Sequence, residues 1–222
     1  MSYVPAQTVL KQLTGSLQNP EKYRQARIWG TIYATGSILL TIPLLLEGYH
    51  ILILLGVVGI LAFILNFLMT RRHFKTIPGD LVSVFGLSLT GLGAYYVLNG
   101  FIDLTGILLW AQVFLFFGSS VFYVHMKIRA AQTKARNLNY KDKFSIGKTS
   151  MSYHVVVLLL LFICALKQQI PAMNVIAFLP MTVHAFYGTW KLDARVRFKN
   201  LGFLLLGQSV LFTLILGLAS IN

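Results

Sequence analysis

Seven runs of predominantly apolar residues divide the chain: Trp29 to Leu46, His50 to Met69, Gly79 to Leu98, Thr105 to His125, Ser152 to Leu166, Pro171 to Trp190 and Leu201 to Ser220. Polar residues collect between them. Crossing about 30 Å of hydrocarbon as a helix takes roughly 17–25 apolar residues, and only the fifth run, Ser152 to Leu166, falls short of that length. The runs are continuously apolar rather than alternating with period two, as barrel strands would. The pattern therefore predicts an all-α, polytopic transmembrane helical bundle of about seven helices over residues 29–222. A cytoplasmic or interfacial segment, residues 1–28, precedes it; those residues carry Lys11, Lys22, Arg24 and Arg27 but no continuous apolar core of a cleavable signal peptide.

Charge gives the bundle a direction. The N-terminal segment holds four Lys and Arg. The segment after the second run adds Arg71, Arg72 and Lys75, and the one after the fourth adds Lys127, Arg129, Lys134, Arg136, Lys141, Lys143 and Lys148. Lys191, Arg195, Arg197 and Lys199 follow the sixth, which makes 18 on one side against Lys167 alone on the other. Short cytoplasmic loops accumulate basic residues, so the expected topology has a cytoplasmic N-terminus and an external C-terminus. Aromatic rings at the ends of the runs fit interfacial belts: Trp29, Tyr123, Tyr153, Tyr187 and Trp190 on the inner side, Tyr49, Tyr95, Tyr96 and Trp110 on the outer. The longest loop, Lys127 to Ser150, is expected to open with a short interfacial helix.

Composition excludes the alternatives. Of 222 residues 56% are hydrophobic and only 11% charged, under half of the roughly 25% charge of a soluble domain. The basic loops follow the positive-inside pattern without interleaved stacking platforms, which points to anionic lipid headgroups and not to nucleic acid as the partner. The single Cys164 sits in an apolar run and allows no intramolecular disulfide.

Few residues could carry chemistry. Ser83, Gly86, Thr90 and Ala94 recur at spacings of three and four, a small-residue stripe that suits close helix packing; lining a ligand pocket is the less common use. Asp80 follows Pro78 and Gly79 at the start of the third helix, where a carboxylate complements the helix dipole and can accept bonds from free amides; a place in a ligand or partner site is the alternative. His125 and His154 share a depth near the cytoplasmic boundary, with His184 six residues inside the end of the sixth run. Two histidines at one depth could ligate a b-type haem or hold a pigment, although interfacial histidines are more often hydrogen-bonded or solvated. His50 and His73 read as plain interfacial residues. The candidate ligand or partner site is thus Asp80, His125, His154 and His184. No metal site is expected: Glu21, Asp80, Asp142 and Asp193 each stand alone in their segments, whereas Mg²⁺ needs converging oxygen ligands. Nucleophile elbows and phosphate-binding glycine fingerprints are absent.

The stretches NPEKYRQARIWGTIYATGSILLTIPLLL, LVSVFGLSLTGLGAYYVLNG, FLFFGSSVFYVHMKIR, SYHVVVLLLLF and IAFLPMTVHAFYG, in this order, resemble the YwiC-like family of multi-pass membrane proteins from Asn19 onward. The resemblance implies residence in a bacterial cytoplasmic membrane and no established activity. It extends distantly, in layout, to UbiA-like prenyltransferases, but neither of their Asp-rich motifs is present, and Gly79–Asp80 stands where the family usually has an Asn-Asp or similar polar pair. Family members also typically begin with two further helices, behind a Pro-Lys-Gln-His-Gly-Ala-Trp-like segment. That implies a truncated chain, a first pair supplied by another chain, or a protein that works without it.

Two functions are expected on these grounds. The first is a non-catalytic integral subunit or assembly factor of a larger respiratory or photosynthetic membrane complex, in an inner or thylakoid-type membrane, binding lipids, partner helices and a protein partner. The second is a UbiA-like transferase, or a haem- or pigment-handling protein, acting at the cytoplasmic leaflet.

Overall fold

The computed structural model describes residues 20–72, 76–133, 138–193 and 198–219. They form seven helices: α1 (Pro20–Leu46), α2 (Ile51–Arg72), α3 (Ile77–Asn99), α4 (Leu104–Gln132), α5 (Tyr140–Leu166), α6 (Ala172–Trp190) and α7 (Phe198–Ala219), with no strand among the described residues. Lys11, His73, Lys75, Lys134, Arg136, Arg195 and Arg197, all used above, lie outside the described residues.

Local chemistry ends the helices where the pattern changes. Thr76 caps α3, its Oγ1 accepting from Gly79 N at 3.4 Å, with Pro78 in the first turn where its missing N–H costs no helical bond. Gly100, in the left-handed region at φ 79°, closes the other end by donating to Tyr96 O. Asp103 then caps α4, accepting from Gly106 N and from Tyr95 Oη, both at 2.8 Å. These two bonds hold Asp103 below the usual carboxylate range, the amide contributing most.

From α2 to α7 each helix packs on the next, and α4 also reaches α6. Short connections between packed neighbours make these pairs antiparallel. The core lies in the C-terminal four helices, built from residues such as Phe116, Tyr123, Met126, Val157, Phe178 and Phe212. No described residue of α1 is buried.

Among the described residues six helices are long and apolar enough to cross a membrane. The six exclude α6, expected as the sixth span; it has 19 residues and includes Asn174, Thr182, His184 and Thr189. It is also the most enclosed helix, with eight of its 19 residues buried against nine of 29 in α4. Protein neighbours rather than lipid surround its polar side chains, so it needs less hydrophobicity than the others.

Two expectations about the basic side change. Residues 127–132 continue α4 and α5 already begins at Tyr140, so the expected loop from Lys127 to Ser150 is helical over 127–132 and 140–150, and its opening helix is the end of α4. Tyr96 and Tyr123 are not belt residues but buried ones, 6% and 2% exposed. Tyr153 likewise turns inward and donates to Leu115 O at 3.0 Å. A ring near a helix end belongs to the belt only if it faces lipid, and the rotation of the helix decides that. Trp29, Tyr187 and Trp190 are exposed as belts require.

Candidate functional site

Asp80 lies in the first turn of α3 and His125 near the end of α4, so antiparallel packing of the two helices brings them to one depth at the basic side. His125 Nε2 and Asp80 Oδ2 are 2.9 Å apart. An ionised carboxylate can only accept, which makes Nε2–H the donor. The Asp80 carboxylate is therefore held by a side chain 45 residues away rather than by free amides of its own helix, and the cap is Thr76. His125 is nearly buried and Asp80 about one-third exposed, so the pair has a covered half and an open half.

The open half faces a cavity of about 610 Å³ between α3 and α4. Apart from Asp80 and His125 at its basic end, its wall is mainly apolar, with Val84, Leu87, Val113, Phe117 and Val121, and with Ser88, Thr90 and Ser120 as isolated hydroxyls. Leu87 and Phe117 are 65% and 41% exposed, so the cavity opens on the outer surface of the bundle at membrane depth. Ser88 is fixed, donating to Phe85 O and accepting from Trp110 Nε1, both at 2.9 Å.

The small-residue stripe divides between two surfaces. Gly86 packs on α2, where a Cβ would come within 3.2 Å of Ala62 Cβ, and Ser83 is half-buried. Thr90 and Ala94 are exposed, and Thr90 lines the α3–α4 cavity. The seam with α2 runs instead along Gly79, Gly86 and Gly93, whose missing Cβ atoms face Asn66 and Met69, then Ala62, then Leu52 and Leu55. A repeat of seven among glycines was the signal that would have found it.

The other two candidate histidines form a second group, inside the α4–α6 core. His154 is 2% exposed, and its Nδ1 lies 2.7 Å from Ser150 O. A carbonyl only accepts, so the proton is on Nδ1 and Nε2 is an acceptor, buried with no protein partner. The His184 ring packs against that of Tyr123, centroids 4.9 Å apart and tilted by 59°, lies within electrostatic reach of His154 and Lys127, and also has a buried Nε2 without a protein partner. Lys127 folds back to donate to Gly188 O at 3.1 Å.

The four candidates thus resolve into two pairs, Asp80 with His125 and His154 with His184. His125 spends its Nε2 on Asp80 and turns toward α3, while His154 points into the core. Among the described residues no three His, Cys, Asp or Glu side chains gather as a metal ion would need. Asp142 is exposed on the first turn of α5, and Asp193 lies near Lys127. Cys164 is free and half-buried.

Fold and site define a multi-pass helical membrane protein with a cavity open at membrane depth and a buried ionisable core. Residues 2–95 match the model of the family described as YwiC-like protein, so α1, α2 and most of α3 are similar to that family. The matched stretch includes Asp80 and the glycine seam; His125, His154 and His184 lie beyond it, as do the later stretches on which the resemblance was also drawn. No curated protein and no solved structure matches the chain.

Proposed function

We propose that the chain is a non-catalytic subunit of a larger assembly in a bacterial cytoplasmic or thylakoid-type membrane, and that its α3–α4 cavity holds an amphiphile. The observation that carries this reading is an apolar cavity at membrane depth that ends in one polar pair, Asp80–His125. An acyl or isoprenoid tail suits the wall of Val84, Leu87, Val113 and Phe117. At the basic end the partly exposed Asp80 carboxylate accepts from a hydroxyl or amine head, and it repels a diphosphate. The dispersed carboxylates favour holding over Mg²⁺-dependent transfer. The partner reading is supported by α1, whose apolar residues are left exposed among the described residues.

Native mass spectrometry of the detergent-purified protein tests both halves. Expected are a bound amphiphile with an uncharged or cationic head, lost from His125→Ala and from the cavity-filling Val113→Trp, and a copurifying chain. Equal occupancy in wild type and both variants would overturn the cavity reading. Mg²⁺-dependent isoprenyl transfer by the isolated chain, lost on Asp80→Asn, would overturn the non-catalytic one. The proposed orientation predicts that a cysteine placed at the exposed Lys141 is protected in intact cells, while one at the exposed Phe101 reacts.

A further inference from the structure

The core of the C-terminal helices contains more unpaired polar atoms than a bundle at membrane depth can carry without compensation. Gln112 Oε1, Ser150 Oγ, His154 Nε2, Asn174 Oδ1, His184 Nε2 and Gln208 Oε1 are all buried without a protein partner. Gln112, Ser150, His154 and Asn174 are themselves 3%, 1%, 2% and 6% exposed. Each such atom left unsatisfied carries the desolvation cost of a lost hydrogen bond, which is what buried waters ordinarily relieve.

Their distribution is ordered by an aromatic layer. Phe116 of α4 and Phe212 of α7 stack at 3.9 Å, and Phe178 of α6 meets both edge-on, at 6.0 and 5.2 Å. Gln112 and Asn174 each precede their phenylalanine by four residues on helices that run the same way, so both lie on the side away from the basic end. Gln208 precedes Phe212 by four on a helix that runs the opposite way, which puts it on the basic side. His154, His184 and Ser150 are on that side too, with His184 beside Tyr123 and within electrostatic reach of Lys127. Three phenyl rings thus separate two orphaned polar atoms from four.

We propose that the basic half of this core is a water-filled proton path ending at the His154–His184 pair, and that Phe116, Phe178 and Phe212 seal it from the other side of the membrane. A proton enters from water at the basic end, passes along water to the bare Nε2 of His154 to give an imidazolium, and leaves the same way. No other bond changes. The titratable groups facing the pair are Tyr123 and Lys127 from α4, with Asp193 near Lys127, and Tyr153 from α5, whose ring meets His154 edge-on at 6.0 Å; on α7 the only titratable side chain among the described residues is the exposed Lys199. His125 is held by Asp80 toward α3. A cationic Lys127 at the mouth disfavours a metal ion as the occupant and leaves water as the fitting one.

The test uses the full chain in proteoliposomes loaded with a pH-sensitive dye. Wild-type vesicles should be as tight as empty ones. Phe116→Ala should dissipate an imposed pH difference at least about tenfold faster, which corresponds to removing about 1.4 kcal/mol of barrier, and adding His154→Leu should restore tightness. A folded Phe116→Ala that stays tight, or a leak indifferent to His154→Leu, overturns the proposal. Should Phe116→Ala fail to fold, nitrogen NMR of the histidine-labelled wild type in nanodiscs decides: exchange of magnetisation between water and the His154 and His184 rings supports the path, and its absence refutes it.

Discussion

Helices α1 and α6 were both expected as spans, and they are built in opposite ways. The first has a 20-residue apolar stretch, Arg27–Leu46, none of it buried. The second is shorter and more polar, yet eight of its residues are buried and three of them, Asn174, Thr182 and Thr189, are polar. Lipid is as apolar as leucine, so hydrophobicity alone gives one helix no reason to join another. What assembles α6 is close approach: Gly188 lies against the Tyr123 phenol, Gly147 of α5 against Thr189, and Thr189 Oγ1 lies 3.2 Å from Met126 Sδ of α4. The lesson is that in this chain apolar content reports membrane residence, while small and polar residues report the protein core.

The largest test of that contrast is Gly188→Leu. A Cβ there already overlaps Tyr123 Oη, so the variant should lose about 3 kcal/mol or more of stability, read as thermal unfolding in detergent. A variant with the wild-type midpoint would show that α6 is not assembled through this contact. Gly86→Leu, on the looser α2–α3 seam, should cost about 1–2 kcal/mol because Ala62 stands 3.2 Å from the added Cβ. No change there would detach α2 from the packed part of the bundle.

Acid should produce a smaller, local effect. Asp103 has a lowered folded-state pKa, so its contribution is complete above its unfolded value of about 3.9 and is lost as pH falls through the depressed folded value. Hydrogen exchange at Gly106 N should accelerate in that window in wild type and be fast and flat in Asp103→Ala; an equal pH response in both would remove Asp103 as the cap. The smallest effect is expected at α1. Leu40, 77% exposed, should tolerate Ala within about 0.5 kcal/mol in the isolated chain. A larger loss confined to a copurified complex would place a partner helix on it.

Much of the architecture was legible. Continuous apolar runs marked the helices, whereas the caps Thr76, Gly100 and Asp103 came only with the structure, the sequence having offered Asp80 at the start of α3. All four candidate ligand residues were also legible as individuals, because an ionisable residue near membrane depth stands out by its cost. Their grouping was not. His125 was matched with His154 by depth, whereas the structure gives it Asp80 and gives His154 a place beside His184. Depth follows from counting residues along a helix, but partnership depends on how each helix is turned about its axis.

The amino-acid sequence by itself determined the solvent and the order of the helices, while α1, α4 and α5 extend beyond the apolar runs that announced them. Tertiary structure alone decided which faces meet: that Tyr96, Tyr123 and Tyr153 turn inward, that glycines seven apart form the α2–α3 seam, and that one cavity opens beside Asp80 while three phenyl rings close the core. In water a buried face announces itself as an apolar stripe on a polar helix. At membrane depth both faces are apolar, so that contrast vanishes, and only the fit of side chains in three dimensions distinguishes the face that meets protein from the face that meets lipid.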